Sequence, residues 1–211
     1  WFVLQKESPG AEFKTHIVSD FKGERYEFDE IFAEIPFMAQ LLSQQSVSIL
    51  KKFYNASGAK FSLTADSELH SANAKDFLSS AADETHPFPL KHTSSKMKHS
   101  SRPHKYQNHK KVVGSKSGRF IPEYDPGNWG TTEASMFSLV ESEAEGKGKE
   151  ALLRSKAYTF VFTICKWSGF NIQKVFSNLP YLLLDSYTDD AIYQALGLTK
   201  DEIALIERVV K

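Results

Sequence analysis

Apolar and polar positions near the start of the chain repeat with a period close to two. Trp1–Lys6 reads as a strand and Ser8–Pro9–Gly10 as a turn. Phe13–Ser19 and Arg25–Phe28 then form two arms of a hairpin around Asp20–Phe21–Lys22–Gly23. Ile31, Phe32, Ile35 and Phe37 extend the apolar run to an interruption at Pro36. From Ala39 to Asn55 the period lengthens. Leu41, Leu42, Val47, Ile49, Leu50 and Phe53 fall at helical spacing. Residues 56 to 89 are polar and poorly periodic, with one short helical candidate around Ala72–Ala82. Lys110–Ser115 reads as a strand, Phe120–Ile121 as a shorter one, Pro122–Gly130 as a turn-rich connection, and Thr131–Val140 as a further strand. The acidic run from Glu141 opens a helix. Leu152, Leu153, Tyr158, Phe160, Val161, Phe162, Ile164 and Cys165 then make the chain apolar nearly all round, the mark of a buried helix near residues 150–166. Thr188–Asp189–Asp190 begins a short helix that stops at Gly197. Thr199 with Glu202 three residues on predicts a capping box at the start of the last helix. The expected fold is α+β: a short N-terminal hairpin, then a mixed sheet flanked by helices.

Composition changes little in this picture. The chain has 211 residues, 41% apolar and 25% charged, ordinary for a folded domain. It contains no apolar run of membrane-spanning length and no secretory leader. Cys165 is the single cysteine, so no internal disulfide and no cysteine-rich zinc site can form, and a cytoplasmic location is expected. The charge pattern matters more. Net charge is zero, yet Lys91–Arg119 holds nine Lys and Arg with no Asp or Glu, leaving 17 basic against 26 acidic residues elsewhere. Four of the seven histidines, His92, His99, His104 and His109, fall in the same stretch. Cations interleaved with hydroxyls and amides suit a polyanion, neutralising phosphates and bonding to phosphate oxygens or base edges. A solvated basic loop without a partner would carry the same charge.

The C-terminal third supplies context. LRSKAYTFVFTICKWSGFNIQKVFSNLP followed by YTDDAIYQALGLTKDEIALIE resembles the end of adenine-specific DNA methyltransferases of prokaryotic and phage type II restriction-modification systems. Ser155 and Lys156 stand where that family has Thr-Lys, and Lys166 stands where it has a lysine after the helix. Val175, Phe176 and Pro180 are similar to the segment before its tail. Thr188, Asp189, Asp190, Tyr193, Gly197, Leu198, Thr199, Glu202 and Ile203 follow its ending. Upstream, WFVLQKESPGAEFKTHIV resembles the last hairpin of the methylase sheet, and SVSILKKF the helix entering the recognition region. FLSSAADETHPFPLKHT, KKVVGSKSG and PGNWGTTEAS resemble successive pieces of that region. Tyr187 replaces the family's tryptophan, and the arginine of the long helix is missing near Thr159. The Asn-Pro-Pro-Tyr type of motif that holds a flipped adenine is absent, as is a glycine-rich turn for S-adenosylmethionine.

The resemblance thus implies a target-recognition region at 46–211, with 1–45 as the remnant of a methylase sheet edge, in a chain that begins inside a longer protein. It implies no catalytic or cofactor residue here. S-adenosylmethionine is expected in the full enzyme, with double-stranded DNA as partner and a catalytic domain supplied in cis or in trans. Lys96, Lys98, Arg102, Lys105, Lys110, Lys111, Lys116 and Arg119 are the expected phosphate contacts. Gln107, Asn108, Ser115 and Ser117 are the expected readers of base edges, and Lys166 and Trp167 an additional approach to DNA. Asn171 and Gln173 suit bidentate contacts to adenine or plain solvation. His99, His104 and His109, five residues apart, do not share a helix face and do not suggest a metal site. Cys165 reads as a buried thiol, Asp189–Asp190 as a helix start, and Trp129 as a packing residue. Ser115–Gly118 lacks the full phosphate-loop pattern. Two other functions fit the same sequence: a stand-alone DNA-binding or specificity protein, and a protein-interaction module built on the acidic C-terminal part.

Overall fold

The computed structural model describes residues 14–31, 35, 38–169 and 173–210. The expected strand Trp1–Lys6, the turn at Ser8–Gly10, and Phe13, Phe32, Pro36, Phe37 and Asn171 lie outside them. Helices and strands are both present, as the periodicity implied. The hairpin forms from β1 (Thr15–Phe21) and β2 (Glu24–Glu30), in register from Thr15–Glu30 to Phe21–Glu24. Lys22 and Gly23 close it with φ of 50° and 85°. Positive φ at both loop residues is the mirror-image turn whose twist matches that of paired strands.

α1 (Gln44–Asn55) starts at Ser43, whose Oγ accepts from the Ser46 amide while Ser46 Oγ accepts from the Ser43 amide. It buries Val47, Ile49, Leu50 and Phe53, the apolar positions that predicted it. The long helix expected near 150–166 is two helices, α2 (Glu143–Arg154) and α3 (Lys156–Ile164), divided at Ser155. Ser155 adopts an extended ψ of 156°. Its Oγ donates to the Leu152 carbonyl and accepts from the Tyr158 amide, so it ends one helix and caps the next. α3 is the buried core helix: the Tyr158 ring meets Phe53 edge-on at 5.0 Å, and its hydroxyl donates to the Pro180 carbonyl. After α4 (Gln173–Ser177) come α5 (Asp189–Ala195), capped by Thr188, and α6 (Lys200–Val209), opened by the Thr199–Glu202 capping box. Buried Glu202 also accepts from Ser48 Oγ and pairs with Lys52 at 2.6 Å, tying α6 to α1.

Strands between α1 and α2 make two further sheets. β3 (Leu78–Ser79), β4 (Phe88–Lys91), β5 (Met97–Ser100) and β8 (Gly130–Thr131) run in the order β3-β5-β4-β8, with β4 and β8 parallel. β6 (Lys111–Ser115) lies between β7 (Glu123–Asp125) and β9 (Ser135–Leu139), all antiparallel. Ser135 Oγ joins the two sheets by donating to the carbonyls of Lys91 and His92.

Four local readings are corrected. Ala72–Ala82 forms one 3-10 turn, Lys75–Phe77, and then β3, whose Leu78 sits opposite Ser100 in the sheet. Phe120–Ile121 is irregular, and the Phe120 ring fills the space over Gly114, where a Cβ would lie 2.0 Å from it. β7 begins inside the supposed turn region, and Thr131–Val140 is two strands in different sheets, separated by a Thr132–Ser135 turn. The boundary expected between 45 and 46 falls within the first turn of α1.

Candidate nucleic-acid interface

The basic stretch folds around β6, and the two ends of that strand differ. At its start Lys111 is wholly buried, in register with Asp125 across β7 and paired with it at 2.7 Å. Lys111 Nζ also donates to the carbonyls of Tyr106 and His109. Asp125 accepts the amides of Gly127, Asn128 and Trp129. Each buried charge is therefore compensated by its partner and by backbone dipoles. Burial lowers the Lys111 pKa, opposed by Asp125. Gln107, expected to read bases, is buried: its Oε1 accepts from the His104 amide and its Nε2 donates to the Asn128 carbonyl. Lys111 and Gln107 are thus removed from the surface and hold the 104–109 turn in place. Asn108 and Lys110 are exposed at this same end, with Lys110 Nζ donating to the Glu141 carbonyl.

The other end opens onto a cationic face, reached from Lys111 after about 13 Å of strand at roughly 3.3 Å per residue. Lys116 is half-buried there, with Glu133 and Asp66 as its nearest acidic influences; burial nonetheless lowers its pKa. Lys98 donates to Ser71 Oγ at 2.6 Å, and the Ser71 amide donates to Glu133, so both lysines flank the Asp66–Ser71 loop. Lys105 and Arg102 reach the same loop, pairing with Asp66 at 2.6 Å and with Glu68 at 3.8 Å. Arg102 also lies over the Phe77 ring. His92 joins this face: burial and then Lys98 lower its pKa, with Lys96 adding to the effect. Exposed Arg119 continues it, its carbonyl accepting from Ser94 Oγ. Lys166 Nζ donates to the Gly118 carbonyl. Trp167 is 58% exposed and donates from Nε1 to the Met38 carbonyl. Ser115 is buried, with its Oγ donating to the Ser117 carbonyl and accepting the Ser117 amide. It supports the turn that presents Ser117.

A stretch without acids in sequence is not without acids in space. Glu123 takes Lys91, Asp125 takes Lys111, Glu68 takes Arg102 and Asp66 takes Lys105. Among the described residues, Lys96, Lys98, Lys110, Lys116 and Arg119 make no ion pair with a carboxylate. These acids were missed in sequence. Asp125 alone left a signal, because Asp-Pro-Gly-Asn is turn chemistry in which the carboxylate accepts following amides.

Buried His104 lies at the centre of this support. The Tyr106 amide donates to Nδ1, which places the proton on Nε2, 3.2 Å from Asp66. Burial lowers the His104 pKa against the pull of Asp66. Burial alone would raise Asp66, but Lys105, the Glu68 amide and His104 hold it low. Asp66, Glu68 and His104 offer ligand atoms within 4.8 Å of one another, although Lys105 and Arg102 already neutralise the carboxylates. His99 and His109 do not join them. Cys165 is buried, which pushes its thiol up to about 12, far from a nucleophile's range. Gln173 donates to the Leu63 carbonyl, and Trp129 packs under the Lys91 ammonium.

Five of the positions that carry the methyltransferase resemblance have local structural roles. Ser155, Thr188 and Thr199 are caps, Asp189 accepts the Lys156 amide, and Lys156 pairs with Glu207. Comparison with protein-family profiles, curated proteins and solved structures finds no match to this chain. Among the described residues no helix is long and apolar enough to cross a membrane.

Proposed function

We propose that this chain binds double-stranded DNA as the target-recognition part of an adenine-specific methyltransferase. One observation carries the reading: Lys96, Lys98 and Lys116, free of carboxylate partners among the described residues, lie near a loop that already neutralises Arg102 and Lys105, and equally unpaired Arg119 follows three residues after Lys116. Lys98 on β5, with Lys96 just before that strand and Lys116 and Arg119 just after β6, would contact phosphates, and Ser117 stands between the last two as a hydroxyl for a base edge. Arg102 and Lys105 act at the margin, where binding would exchange a carboxylate for a phosphate. Lys110 and Asn108, at the far end of β6, contribute only to a duplex long enough to reach both ends.

The chemistry belongs to a catalytic half, in cis or in trans. The described residues do not suit S-adenosylmethionine: their only parallel pairing is the two-residue β4–β8 contact, with no glycine turn leading from a parallel strand into a helix. Gel-shift titration of a 20-base-pair duplex at several salt concentrations tests the reading. Affinity should fall steeply between 50 and 200 mM salt, by about 0.9 in log–log slope for each phosphate neutralised. Lys96→Glu with Lys98→Glu should flatten that slope. Absence of duplex binding, or binding indifferent to salt, rejects the proposal.

A further inference from the structure

A groove runs between residues 118–122 and the open side of α3, just beyond the cationic face. Its main part holds about 440 Å³, within the usual range for small-molecule sites. An adjoining part of about 290 Å³ shares Arg119, Phe120 and Thr159 with it. Nothing in the duplex reading accounts for this groove, and three features define what it would hold.

The first is aromatic. Phe120 and Phe162 line the groove and belong to one ring cluster with Phe176, with centroids 5.1, 4.4 and 4.1 Å apart. A second planar ring gains from an offset or edge-on approach to such a surface. The second is charge. Arg119 is exposed at the groove, Lys166 is fixed beside it on the Gly118 carbonyl, and no acidic residue lines either part. A guanidinium without a carboxylate is a two-pronged donor for phosphate. The third is hydrogen-bond polarity. Thr163 donates its hydroxyl proton to the Thr159 carbonyl at 2.8 Å, and Thr159 directs its own toward the Arg154 carbonyl at 3.5 Å. Their lone pairs remain as acceptors one helical turn apart, which suits a ligand that brings donors.

A planar ring, an anionic group and N–H or O–H donors occur together in a nucleotide. We infer that this groove binds a nucleoside monophosphate unit, its base against the Phe120 ring that buried Phe162 backs, its phosphate on Arg119, and its amino or ribose hydroxyl groups on Thr159 and Thr163. The unit is either a free nucleotide or the phosphorylated end of a strand. The groove shares Arg119 with the proposed duplex contacts, but Lys96 and Lys98 take no part in it, so variants at those lysines distinguish the two.

Calorimetry with AMP, GMP, CMP and UMP, alongside adenosine and inorganic phosphate, tests it on the whole chain. At least one monophosphate should bind saturably, about tenfold or more tighter than adenosine or phosphate alone. Arg119→Glu should weaken that binding by at least tenfold and Thr163→Val by several-fold, with unchanged circular dichroism. Lys98→Glu should leave monophosphate affinity intact while lowering duplex affinity, which separates this site from the duplex proposal. A duplex with a 5′-phosphorylated overhang that binds more tightly than a blunt one, through Arg119 and Thr163, assigns the unit to a strand end. Equal binding of the two duplexes assigns it to free nucleotide. No saturable binding by any monophosphate, or binding unaffected by both groove variants, overturns the inference.

Discussion

Lys111 opens β6 and Lys116 follows its last residue, five positions on; the two would look equivalent in any composition plot, yet they occupy opposite environments. Lys111 has Asp125 and two close backbone carbonyls around its ammonium, and no exposure. Lys116 is half-buried, and acids influence it only from outside ion-pair distance. What separates them is the chain brought alongside: the Asp125 turn closes over one end of β6, and the Asp66–Ser71 loop leaves the other open. A basic stretch is therefore not one functional unit. Its closed end builds the platform, and its open end is what a polyanion would meet.

The largest effect expected of this contrast is on stability. Lys111→Met should destabilise the fold by about 3–5 kcal/mol, because Asp125 would remain buried without its cation. Lys116→Met leaves no buried carboxylate without its cation and should change stability far less, by about 1 kcal/mol at most. Urea denaturation of the two variants measures the difference; equal midpoints would erase the distinction drawn here. Charge reversal at Lys111 is for this reason unsuitable as a test of DNA binding, since loss of fold and loss of contact would coincide.

Next in size is Gly114→Ala. A methyl group there would sit inside the Phe120 ring, so the ring must shift away from the position in which it lines the groove. Overpacking of this kind costs about 1–3 kcal/mol. The same change should abolish monophosphate binding in the groove, while duplex binding through Lys96 and Lys98 declines far less. A substitution that lowers both equally would mean that the face and the groove are one site.

Much of the fold could be read before the structure. The hairpin and its Lys22–Gly23 turn, α1, β6, and the caps at Thr188 and Thr199 all depend on neighbours in sequence, where alternation, helical period and turn chemistry act. The break at Ser155 is local as well, but the apolar run across it reads as one helix because burial of both halves hides the serine. The candidate site was less legible. Which of nine cations face solvent depends on Asp66, Glu68, Glu123 and Asp125, which lie outside the basic stretch in sequence and arrive by tertiary folding. The methyltransferase likeness had its clearest matches at helix caps, and capping follows from backbone geometry whatever the protein does. Thr159 and Thr163 gave no sequence signal of a groove, being ordinary residues on a helix whose other faces are buried.

Two histidines give the smallest and most discriminating test. His104, on the closed side, and His92, on the open side, both have pKa values lowered from 6.5, with burial the largest cause in each. Between the folded value and 6.5 the unfolded chain binds more protons than the native one, so stability rises with pH across that window and is level above it. Acidification below about pH 6.5 should therefore destabilise the protein, and His104→Gln should remove part of that slope. Duplex binding should then separate the pair. Lys98 and Lys96 hold His92 down, and phosphates settling on those lysines would offset their charge, so the His92 pKa should rise in the complex. His104 is buried behind Asp66 and meets the duplex only indirectly, through exposed Lys105 at the margin of the face, so it should move less than His92. Titration of the imidazole Cε1 protons by NMR, with and without duplex, reads both at once. A shift confined to His92 places DNA on the open end of β6. A shift at His104 with none at His92 would move the contact to the side of the fold that we read as platform.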